Sequence, residues 1–199
     1  MSTYRCFWLE STGRVKHSLL VIDLKSDCAG RPGKPCRAMK HAAEYATKVD
    51  ENGIPEWVGS HMPDDNDPSW PGSCDVCNRT FCGEVMRSTC QELIYIDEVG
   101  NETTLREAQF GAMWNEPGRG VTGPDGICLM VKTPGGDWCV DGPSWENGVK
   151  KHEHAWKRTG KIPVVTATPS IHILSTGYDG AERSTIYHGW LREGVLIDA

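Results

Sequence analysis

Ile127-Cys128-Leu129-Met130-Val131-Lys132-Thr133-Pro134-Gly135-Gly136-Asp137-Trp138-Cys139-Val140-Asp141 is the stretch on which the fold turns. Two apolar arms flank Thr133-Pro134-Gly135-Gly136, which reads as a turn, so the segment predicts a β-hairpin. With Pro134 and Gly135 at the turn centre, Met130 faces Cys139 and Val131 faces Trp138. Cys128 then lies diagonal to Cys139, and a disulfide between them needs a register shift or bulge. Both are expected as core thiols.

Working outward, the same strand character recurs. Residues 4–10 and 16–24 read as strands, the second around the apolar run Leu19-Leu20-Val21-Ile22. Residues 92–98, 162–167, 170–174, 184–191 and 194–197 follow suit, with Arg192-Glu193-Gly194 as a tight turn. Two segments read differently. The alanines of 37–48 favour a short helix, and 144–158 suggests a second one, interrupted or started late because of Gly148. Residues 49–73 form a long irregular connection containing Pro55, Pro63 and Pro68 and the acidic group Asp64, Asp65 and Asp67. The expected class is therefore α+β: mostly short antiparallel strands and loops, one or two short helices, and a zinc-knuckle insert. Residues 1–199 are expected to form one domain, with 28–90 as a zinc-stabilised subregion.

Composition narrows the function classes. The 22 glycines and 12 prolines suit a turn-rich β-protein. A net charge of −6 argues against a general nucleic-acid coat, which would usually be basic. The start, Met1 to Leu9, has no signal-peptide stretch, and Leu19 to Ile22 is too short to cross a bilayer. The expectation is a protein kept in a reducing compartment without membrane attachment. Nine cysteines, an odd number, fit metal binding and free thiols there better than a disulfide framework.

The strongest chemical signal is Ser73-Cys74-Asp75-Val76-Cys77-Asn78-Arg79-Thr80-Phe81-Cys82. Thiolates three positions apart can both face one tetrahedral ion when the chain turns sharply. The residue after the second cysteine often takes positive φ, which Asn78 tolerates well. The alternative is a free or redox-active dithiol. A structural zinc needs four ligands, and the spacing of Cys36 and His41 offers the second pair. The expected set is Cys36, His41, Cys74 and Cys77, with Cys28, Cys82 and His61 as alternates. A plain surface histidine is the competing reading of His41.

Other signals are weaker. His152-Glu153-His154 lies in a basic run that could touch phosphates or an acidic partner, though a solvated face explains it more simply. His188 and Trp190 share a strand face, while His172 points away from Ile171 and Ile173. No nucleophile or carboxylate is spaced to partner these histidines, so they read as structural. Eight tryptophans are many for this length. Those in strand patterns are expected in the core, while Trp57 and Trp70 are interface or loop-staple candidates. There is no phosphate-cradling glycine loop, no Gly-x-Ser-x-Gly elbow and no His-Glu-x-x-His helix.

Pro169-Ser170-Ile171, followed by Tyr187-His188-Gly189-Trp190-Leu191 and Gly194, resembles the C-terminal end of uncharacterised proteins of tailed bacteriophages. Trp138-Cys139 and Trp70-Pro71 agree with that resemblance, which covers the last third of the chain best. It implies a phage origin, gives almost no function and fixes no metal ligand. The expected place is the host cytoplasm or the virion, and the expected partners are proteins, other virion proteins among them. The function expected is a non-enzymatic structural or accessory interaction protein. A zinc-containing nucleic-acid or host-factor binder is the alternative, and a histidine- and metal-dependent hydrolase ranks third.

Overall fold

The computed structural model describes residues 1–47, 62–81, 84–146, 149–152, 155–174 and 184–199. In chain order the strands are β1 (Thr3–Arg5), β2 (Phe7–Cys28), β3 (Arg31–Ala46), β4 (Met86–Asp97), β5 (Glu102–Thr104), β6 (Ala112–Asn115) and β7 (Leu129–Thr133). They continue as β8 (Gly136–Cys139), β9 (Ser144–Glu146), β10 (Val149–His152), β11 (Lys157–Lys161), β12 (Val164–Leu174), β13 (Thr185–Arg192) and β14 (Val195–Asp198). One 3-10 turn, Pro117–Arg119, is the helical element among the described residues. No helix there is long and apolar enough to cross a membrane.

The α+β expectation is therefore corrected to an almost purely β architecture. Residues 37–46 do not form a helix but belong to β3, which pairs antiparallel with β2 from Arg14↔Ala46 to Cys28↔Arg31. Alanine's helical preference is worth less than ~1 kcal/mol per residue. A long ladder of backbone hydrogen bonds with β2, and burial of Ala38 opposite Val21, outweighs it. The second expected helix, 144–158, is replaced by the antiparallel pair β9–β10 and by β11. Residues 147, 148, 153 and 154 of that span lie outside the described residues.

Contacts divide the chain into two compact units. One is built on Met1–Ser11 and Tyr95–Ala199. It contains an antiparallel five-stranded sheet in the order β1-β14-β13-β12-β11. The decisive hairpin is β7–β8, with Met130↔Cys139 and Val131↔Trp138 in register. This hairpin belongs to a second sheet, in which β6 pairs antiparallel with β7 and parallel with β2 at Phe7 and Trp8. Met113, Leu129, Val131, Trp138, Ile171 and Leu191 share one core. At the β13–β14 turn, Glu193 and Gly194 take φ of 48° and 73°, the positive angles a two-residue hairpin turn requires.

The other unit is built on Thr12–Asp50 and Pro55–Ile94 and contains the part of the chain read as metal-stabilised. Alternate residues of β2 pack its interior: Val15, Leu19 and Val21 are buried. Trp70 covers Leu19 and Val21, with Phe81 and Val85 beside it. Its indole N–H donates to the Asp64 carbonyl at 3.0 Å. Trp70 is thus the staple that holds its own loop against β2. Trp57 lies outside the described residues.

Candidate metal centre

The long hairpin of β2 and β3 supplies one half of the site. Its pairing slips between Asp23↔Cys36, Asp27↔Pro35 and Cys28↔Arg31. Ser26 secures the irregular stretch, its hydroxyl donating to the Asp23 carbonyl at 2.9 Å and accepting from the Cys36 N–H at 3.1 Å. The knuckle supplies the other half. The Cys74 N–H donates to the Arg79 carbonyl at 2.9 Å, and the Asn78 N–H donates to the Cys74 carbonyl at 3.1 Å. Asn78 has φ of 57°, so the asparagine expected to accept a left-handed angle does so. A hydrogen bond from the Asp75 N–H to the Arg37 carbonyl, 3.1 Å, docks the knuckle on β3. Gly30, in the hairpin turn, allows that approach, because a Cβ there would collide with Cγ1 of Val76.

These contacts gather Cys28, Cys36, Cys74 and Cys77, whose sulfurs all lie within 4.8 Å of one another. Cys28 Sγ is 3.8 Å from Cys74 Sγ, and Cys36 Sγ is 3.6 Å from Cys77 Sγ. Tetrahedral zinc–sulfur bonds of about 2.3 Å would put ligands about 3.8 Å apart. The first three cysteines are buried and Cys77 is half-buried. Four soft donors at tetrahedral spacing, in a small buried cluster, fit a metal ion of that preference and could hold one.

The surroundings favour thiolate at two of the four. Burial pushes the Cys74 thiol up, but N–H groups of Cys77, Val76 and Arg37 outweigh it and hold the thiol down at about 6. Burial also opposes ionisation of Cys28, and the Arg31 side chain with the Gly30 N–H brings it below the ordinary thiol value. Arg31 reaches Cys74 Sγ at 3.7 Å and Asp75 at 3.6 Å, so a cation borders the cluster. At Cys36 the neighbouring Ser26 side chain lowers the thiol. Burial and the neighbouring thiols of Cys77 and Cys74 then carry it up to about 11.

Of the expected ligands, the structure brings together Cys36, Cys74 and Cys77, and it places Cys28 as the fourth. His41 is elsewhere. It stands on β3 opposite Ser18, half-exposed, with Nε2 3.9 Å from a Glu44 oxygen. A loop or helix start could present Cys36 and His41, five residues apart, to one metal, but the segment is a strand. As a strand, it places Cys28 and Cys36 on the two arms of one hairpin. Cys28, expected as an alternate, closes β2 eight residues before Cys36, across the hairpin turn. The alternates Cys82 and His61 lie outside the described residues, as do Glu153 and His154 of the basic run.

The remaining candidates have other surroundings. Cys128 and Cys139 are free thiols with sulfurs 3.7 Å apart. Burial, then the adjoining Cys139, drives Cys128 up to about 12, a poor state for a nucleophile. His172 and His188 face each other across β12–β13 with rings 5.3 Å apart. Each Nε2 is paired with a hydroxyl, Thr185 Oγ1 at 2.8 Å and Ser170 Oγ at 3.3 Å. Comparison with known proteins yields no matching family model, no matching curated protein and no matching solved structure.

Proposed function

We propose that Cys28, Cys36, Cys74 and Cys77 bind one zinc ion as a closed structural centre, in a protein that works by contact rather than catalysis. The convergence of four sulfurs within 4.8 Å carries the reading. A tetrathiolate set suits zinc, with iron as the other metal of that geometry. Four protein ligands leave no position for a reacting water, which separates a structural centre from a catalytic one. The metal's work would be to fasten the knuckle to the β2–β3 hairpin. Support for a contact role comes from the other unit, where Leu174 and Ile186 stand exposed near one another at the paired ends of β12 and β13. The C-terminal resemblance directs the search for the partner to assembled phage particles.

Elemental analysis of purified protein should find about one zinc per chain. Cys28→Ser should abolish that content and His41→Ala should keep it. Metal-free protein of full stability would refute the centre, as would zinc lost from His41→Ala and retained in Cys28→Ser. Ile186→Asp should leave zinc content and folding unchanged and remove co-sedimentation with particles. Undiminished co-sedimentation would refute that contact surface.

A further inference from the structure

The second unit holds a feature that the metal centre does not use. Beside β2 and β3 lies a cavity of about 400 Å³, with His17, Leu19, Lys40, His41, Ala42, Pro63 and Ser69 in its wall. Two polar atoms of that wall, His17 Nε2 and Ser69 Oγ, are buried without a hydrogen-bond partner. His17 is only 8% exposed, so water satisfies it poorly. Buried polar atoms are nearly always paired, so two unpartnered ones in a single cavity wall offer themselves to a polar occupant. Strand register determines who can meet it. Lys40 lies opposite Leu19, two residues along β2 from His17, so the two side chains share a face. His41, opposite Ser18, also borders the cavity, and its Nε2 lies 3.9 Å from a Glu44 oxygen.

The donors are of one kind. An ammonium, an imidazole nitrogen and a hydroxyl all can donate, and no carboxylate lines the cavity among the described residues. A divalent cation would be repelled by Lys40, whereas an oxyanion would take a hydrogen bond from each group. The cavity is larger than a bare tetrahedral anion needs, and Leu19, Ala42 and Pro63 give it an apolar side. We propose that it binds a small phosphorylated molecule, the phosphate held by His17 Nε2, Ser69 Oγ and the Lys40 ammonium. The organic body rests on the apolar wall.

Calorimetric titration of the full, metal-replete chain with inorganic phosphate, phenyl phosphate and phenol tests this. Both phosphates should bind, phenyl phosphate more tightly, and phenol should not. Ser69→Ala and Lys40→Ala should each weaken phosphate binding about tenfold while leaving zinc content and circular dichroism unchanged. Lys40→Arg should restore most of the loss. Lys40 is exposed, so its variants fold even if a change at His17 does not. Absence of binding by either phosphate at tens of millimolar would overturn the site, as would affinities untouched by both alanine variants. Equal affinities of the two phosphates would overturn the seated organic body, and phenol binding as well as phenyl phosphate would overturn the anion recognition.

Discussion

Trp138 is 5% exposed and meets Trp156 edge-on, ring centroids 5.2 Å apart, within the core that β7 and β8 share with β12 and β13. Removing so large a buried side chain costs about 3–5 kcal/mol. Trp138→Ala should therefore lower the urea-unfolding free energy by that much, and a loss below ~0.5 kcal/mol would mean a surface site. Arg158 is the polar counterpart. Its Nε donates to Asp141 Oδ1 at 2.7 Å, its terminal nitrogens reach Asp125, and both the Arg158 and Asp141 side chains are 4% exposed. Asp141 Oδ2 also accepts the Leu129 N–H at 2.8 Å, so the pair is tied to the hairpin. Arg158→Ala would strand the Asp141 carboxylate and should cost about 3–5 kcal/mol. Asp125 is held below the ordinary carboxylate range, chiefly by the Arg158 hydrogen bond. A depressed acid stabilises the fold above its unfolded pKa and loses that contribution as pH falls through the folded value. The Arg158→Ala loss should accordingly shrink in acid, by a modest amount because Asp125 is 41% exposed. A loss that grows on acidification would contradict the pairing.

At the scale of elements, the β2–β3 hairpin and the knuckle explain both what could be read from sequence and what could not. The turn at Pro134-Gly135 and the alternation around it carry local information, so the β7–β8 register was legible down to Val131↔Trp138. The Cys74–Cys77 knuckle was legible for the same reason, including the left-handed Asn78. Residues 37–46 were not, because alanines give weak local preference and the deciding partner, β2, is only apparent once the hairpin is paired. With β2 and β3 paired, Cys28, expected as an alternate, joins Cys36 in the cluster and His41 does not. The knuckle's backbone geometry makes its own prediction. Asn78→Gly should retain the metal with undiminished affinity, since glycine takes φ of 57° freely. Asn78→Val forces a β-branched residue into that region at a cost of about 1–3 kcal/mol. Competition with a chromophoric chelator should show weaker retention for valine alone. Equal retention by both variants would mean that the turn does not constrain the site.

Across the whole chain, the metal's influence should be confined to the unit that holds it. Stripping the ion with a chelator at neutral pH should speed amide exchange at Asp75, Asn78 and Phe81, whose N–H groups bond within the knuckle or to β3. The amides of Val131 and Leu191, in the core of the other unit, should keep their protection. Uniform loss across both units would contradict this confinement. Acid should act as a chelator does. Protons compete with zinc for thiolates, so affinity should fall progressively as the solution is acidified, and an affinity independent of pH would argue against thiolate ligation. The claim on which the account rests is the ligand set Cys28, Cys36, Cys74 and Cys77. Zinc-edge X-ray absorption of the purified protein reads that set directly. The account predicts four sulfur scatterers at about 2.3 Å and no nitrogen or oxygen in the coordination shell. A shell containing a histidine nitrogen at about 2.0 Å, or a water oxygen, would contradict it.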